Sequence, residues 1–108
     1  MEQQKLQFVA VTSGGQAFDI EFPLHPETRS AQSVSEMVTL LLDGITRHAQ
    51  DRGDVSDGDI LQALAMTAAI RGRMLGGDLG QIEALVRQLF GEAWTAVGEA
   101  QTYAAGRA

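Results

Sequence analysis

The 108-residue chain is 44% apolar, 20% charged and 6% aromatic, a length that suits a single domain with one core. Leu, Ile, Val and Phe fill 27 of the 108 positions, one in four, above the roughly one in five below which disorder is the default. Fourteen acidic against eight basic side chains leave a net charge of −6, which argues against a nucleic acid partner because no basic stripe is available to displace counterions from phosphates. The lack of Cys removes disulfides, thiolate nucleophiles and thiolate-bound metals, and suits a reducing compartment. The opening Met1 to Lys5 leads directly into a strand pattern, and the densest apolar run, Met37 to Leu42, is too short to span a bilayer. The expectation is a cytoplasmic protein with no membrane partner.

Residues 5–22 alternate as Leu6, Phe8, Ala10 and then Phe18, Ile20, Phe22, on either side of Ser13-Gly14-Gly15, which predicts a β-hairpin. A three-residue loop pairs Leu6 with Phe22, Phe8 with Ile20 and Ala10 with Phe18, gathering the bulky side chains on one face with Gly15 in the left-handed position. That register leaves Val9 and Val11 with Asp19 and Glu21 on the other face. Pro23 and Pro26 end the strand and begin a loop.

A first helix is predicted over 33–51, opened by the capping-box spacing Ser33-x-x-Glu36 and carrying Val34, Met37, Val38, Leu41, Leu42, Ile45 and Ala49 on one face. Gly53 stops it. A second helix over 57–75, capped by Ser56 or Asp57, has a wide apolar face of Ile60, Leu61, Leu64, Ala68, Met74 and Leu75, with Met66 and Ile70 on another side, and so should be covered on most sides. Gly76-Gly77 ends it and Asp78 caps a long third helix over 79–104 with an apolar stripe from Leu79 to Ala100. The fold class is therefore α+β, a hairpin packed on three helices.

Clustered carboxylates from Asp51 to Asp59 suggest calcium, but with Gly58 as the sharp-turn glycine the first, third and closing ligand positions become Gly53, Val55 and Leu64, none of which is a side-chain ligand. Capping and turn chemistry explains those carboxylates, and no metal or cofactor is implied. The second and third helices outline a helix-turn-helix, yet the start of the third, Asp78-Leu79-Gly80-Gln81-Ile82-Glu83, would aim carboxylates at phosphates. His25 and His48 are the only side chains with an ordinary pKa near neutrality, and neither has the neighbours of a catalytic set. Arg71 falls in the middle of the second helix's apolar stripe, where a buried guanidinium must be paired. It is read as an anchor for a carboxylate or phosphate, or as a side chain near the helix end that reaches out to water or answers a carboxylate of its own chain.

Ala84, Gly91, Gly98 and Ala105 recur every seven residues on the side of the third helix opposite its bulky stripe. Each mid-helix Gly costs about 1 kcal/mol relative to Ala, so the face either admits a close helix or lies in solvent. A lone hairpin is marginal in water. The economical cover is a homodimer, formed through the hairpin edge at Val9 and Val11 or through the seam at Ala84, Gly91 and Gly98. The chain is thus expected to be a small acidic non-enzymatic interaction module, a homodimer or a subunit of a larger assembly that docks another protein. The alternative is a small-molecule-binding protein or minor enzyme with a pocket lined by Phe8, Phe18, Phe22, Met37 and Met74, and Arg71 or His48 as its polar group.

Overall fold

The structure, a computed structural model, describes residues 4–104 and is of the α+β class, in the order β1 (Lys5–Val11), β2 (Gln16–Pro23), α1 (Ala31–Arg52), α2 (Asp57–Met74), α3 (Leu79–Gly98) and β3 (Gln101–Ala104). The described chain divides into two compact units. One holds the chain up to Ser35 together with the chain from Gln88 onward, and the other is Glu36–Arg87.

In the first unit, β1 and β2 pair antiparallel with Leu6 opposite Phe22, Phe8 opposite Ile20 and Ala10 opposite Phe18, the register that the three-residue loop requires. Gly15 takes φ +86°, and the turn is closed by the Thr12 amide donating to the Gln16 carbonyl at 2.8 Å and the Gly15 amide donating to the Thr12 carbonyl at 3.0 Å. Phe8 and Ile20 are buried, as are Ala17, Leu24 and Ala96 of the same unit. Val9 and Val11 stand exposed on the opposite face.

The third helix does not reach residue 104. It ends at Gly98, and Gln101–Ala104 instead form β3, antiparallel to β2, with Phe18 opposite Thr102 and Ala17 opposite Tyr103. The sheet order is β1-β2-β3, so the chain's own end covers part of the β2 edge that a bare hairpin would leave open. Ala17, fully buried, sits in register between Val11 and Tyr103.

The helix ends follow local chemistry. α1 begins two residues earlier than the capping-box spacing at Ser33 suggests, because Ser30 is the cap: its hydroxyl accepts from the Ser33 amide at 3.0 Å and its carbonyl from the Val34 amide at 3.2 Å. Gly53, at φ +75°, terminates α1. Ser56 caps α2 in a full capping box, its hydroxyl accepting from the Asp59 amide and the Asp59 carboxylate accepting from the Ser56 amide, each at 3.1 Å. Asp78 caps α3 through its carboxylate, which accepts from the Gln81 amide at 2.9 Å.

Within Glu36–Arg87, α2 is not covered as its sequence suggests. Gly72 is the only buried residue of this unit, and an added Cβ there would lie 3.1 Å from Cγ2 of Ile82 in α3. Leu61, Met66, Ile70 and Met74 are all exposed. An open groove lies between α1 and α2.

Candidate functional site

That groove, about 610 Å³ in volume, is the candidate site. α1 contributes Leu40, Leu41, Gly44, Ile45, His48 and Arg52, the connecting turn contributes Asp54 and Val55, and α2 contributes Asp59, Ile60, Ala63, Leu64 and Thr67. The composition follows from helical spacing. At about 100° per residue, Leu41, Gly44, Ile45 and His48 share one side of α1, and Ile60, Ala63, Leu64 and Thr67 one side of α2.

The rim is charged, and most of its charges are engaged. Arg52 grips the Asp54 carboxylate through Nε and Nη2, each at 3.2 Å, and Asp59 is held in the capping box. Both members of the Arg52–Asp54 pair are more than half exposed, so the pair shapes the turn more than it stabilises the fold. His48 is exposed on the α1 wall and has no hydrogen bond or ion pair among the described residues. The walls are mainly aliphatic, which suits an apolar ligand or an amphipathic helix.

Of the residues singled out in the sequence, His48 lies in the groove and Arg71 does not line it. Arg71 sits on the same stripe of α2, just beyond Thr67. It is exposed rather than buried, and its Nη1 donates to Sδ of Met74 at 3.4 Å. Phe8, Phe18, Phe22, Met37 and Met74 are not among the lining residues. His25 is a turn residue whose Nδ1 accepts from the Glu27 amide at 3.1 Å. Ala84 and Gly91 belong to one continuous helix, and Gly98 is its last residue. Added Cβ atoms at Gly91 and Gly98 would meet nothing within 4 Å. The helix ends at Gly98, before the last member of the seven-residue series, Ala105, which falls outside the described residues.

Among the described residues, no group of three or more His, Asp or Glu side chains could hold a metal ion, and no helix is long and apolar enough to cross a membrane. No family model matches the chain, and no match was found among curated proteins or solved structures.

Proposed function

We propose that the chain is a non-enzymatic protein-interaction module that acts as a homodimer or as a subunit of a larger assembly, with its open helix faces as the working surface. The supporting observation is that Met37, Leu40, Leu41, Leu61, Ile70 and Met74 of Glu36–Arg87 are each more than half exposed, in a unit whose only buried residue is Gly72. Fully burying a large aliphatic side chain contributes about 1.5–3 kcal/mol. Six left open in a unit of this size support the reading of a surface completed by another chain. The test is absolute mass by light scattering over a wide dilution series. A persistent twofold mass supports the homodimer, and a stable monomer at all concentrations overturns it.

A second reading follows from the groove itself: its volume and aliphatic walls, with His48 beside them, suit a small apolar molecule bearing one polar group. Under that reading a thermal-shift screen against common metabolites gives a ligand-dependent rise, and under the interaction-module reading it stays flat.

A further inference from the structure

We propose that the free edge of β1 pairs antiparallel with β1 of a second copy about a two-fold axis at Phe8, joining the two three-stranded sheets into one. This deepens the homodimer reading and rests on it.

β1 is an outer strand, with β2 on one side and no strand on the other among the described residues. Which of its backbone groups face outward follows from the ladder, because antiparallel neighbours exchange hydrogen bonds at every second residue pair. Beyond the two ends of the pairing, the Thr12 amide donates to the Gln16 carbonyl and the Leu24 amide to the Gln4 carbonyl, each at 2.8 Å. In the same register the bonded pairs between them are Leu6 with Phe22, Phe8 with Ile20 and Ala10 with Phe18. The amides and carbonyls of Lys5, Gln7, Val9 and Val11 therefore point away from β2, each residue offering one donor and one acceptor at the edge.

Outer strands are ordinarily guarded by Pro, a bulge or a charge. β1 runs for seven residues in unbroken register with β2, and residues 6–11 contain no Pro and no charged side chain. Lys5 lies 3.2 Å from the Glu21 carboxylate on β2, which also accepts from Nε2 of Gln7 at 2.8 Å. Both polar side chains thus reach over β2, and the Lys5 charge is answered there rather than left at the edge. β3, the other outer strand, is only four residues long.

Charge and register make a second copy the occupant. Two copies of a chain with a net charge of −6 repel, and residues 5–11 form a contact that holds no carboxylate. An axis at Phe8 sets Lys5 opposite Val11 and Gln7 opposite Val9 of the other copy, so every outward donor meets an outward acceptor. An axis at Gln7 or Val9 leaves one end of the strand overhanging. Phe8 then faces Phe8 of the copy and Leu6 faces Ala10, which extends the face on which Phe8 is buried and Leu6 and Ala10 are half-buried. The two Lys5 residues stand at opposite ends of the pair, about 20 Å apart, beyond the Debye length at physiological salt.

The test is amide hydrogen exchange on the full chain, read residue by residue across a dilution series beside mass by light scattering. The Gln7 and Val9 amides are expected to exchange at least about tenfold more slowly in the dimer and to lose that protection on dilution, while Phe8 and Ala10, bonded to β2, keep theirs. Val9→Pro removes an outward donor without touching a bond to β2, a change that edge strands accept. The donor is lost twice in a two-fold dimer, so the dissociation constant is expected to rise at least about tenfold. Retained protection at Phe8 and Ala10 shows that the variant folds; if it does not, the exchange series on the unmodified chain decides alone. A dimer whose Gln7 and Val9 amides exchange freely, or a folded Val9→Pro chain that associates like the unmodified one, overturns the edge pairing while leaving the homodimer standing. An unmodified chain that is monomeric at all concentrations overturns both.

Discussion

Two helix-interior glycines with the same intrinsic cost should respond oppositely to the same substitution. Gly91 lies inside α3 with nothing within 4 Å of an added Cβ, whereas at Gly72 in α2 that Cβ would stand 3.1 Å from Cγ2 of Ile82. Replacing a mid-helix Gly by Ala is worth about 1 kcal/mol from backbone entropy and propensity. At Gly91 the whole gain should appear. Unfolding entropy near 2.1 cal/mol/K per residue makes 1 kcal/mol worth about 4 °C in Tm for a chain of this length. At Gly72 the same gain is opposed by overpacking against a branched side chain, which costs about 1–3 kcal/mol, so the net change runs from about zero to a loss of about 2 kcal/mol. Thermal and urea unfolding at one fixed chain concentration measure both. A double-mutant cycle with Ile82→Ala isolates the contact, since Ile82→Ala should cost less in the Gly72→Ala background than in the unmodified chain. Equal gains at the two positions would refute the close approach of Ile82 to α2. A Gly91→Ala variant that loses stability or association would show instead that another helix packs tightly on that face of α3.

Ser56→Ala removes the hydroxyl of the α2 capping box and is expected to lower stability by about 1 kcal/mol, with Ser56→Asp close to unmodified in the same urea titration. Gly15→Ala places a Cβ at φ +86° and should cost about 1–2 kcal/mol, although nothing crowds that position; an unchanged midpoint would mean that the turn relaxes to another type. Ending the chain after Glu99 removes β3 and should speed hydrogen exchange across Gln16–Asp19, the segment of β2 that β3 pairs, while unchanged exchange there would show that β3 adds no protection. Replacing Val9 and Val11 by Lys tests the hairpin as the contact of the proposed homodimer: loss of association in sedimentation would assign the interface to the hairpin, and an unchanged mass would exclude it.

The parts of the fold legible in the sequence are those fixed by neighbouring residues. Ser13-Gly14-Gly15 sets the loop length, the loop length sets the register, and Phe8 and Ile20 then fall on the buried face without reference to the rest of the chain. The stop at Gly53 and the caps at Ser56 and Asp78 are equally local. The start of α1 is ambiguous in the sequence because Ser30 and Ser33 both offer a hydroxyl ahead of the apolar face, and it is Ser33 that has Glu36 at the preferred spacing. β3 is hidden for a different reason. Gln101–Ala104 is too short for alternation to show, its Thr and Tyr sit inside a run of small helix-compatible residues, and its pairing with β2 spans about 85 positions, beyond any local rule.

The groove escapes sequence reading because an apolar stripe states that a face needs cover without stating whose side chains provide it. The stripe of α2 is legible residue by residue, and the natural inference, that α2 is wrapped by its own chain, is not met, since Leu61, Leu64 and Met74 are exposed and a groove opens between α1 and α2. What the sequence does carry is the arrangement of charge along that stripe. Two carboxylates at one end and two guanidinium groups at the other also suit a single helix, since each complements the macrodipole. The exposure of Arg71 in that last turn accounts for a cation on the apolar stripe without a buried carboxylate partner.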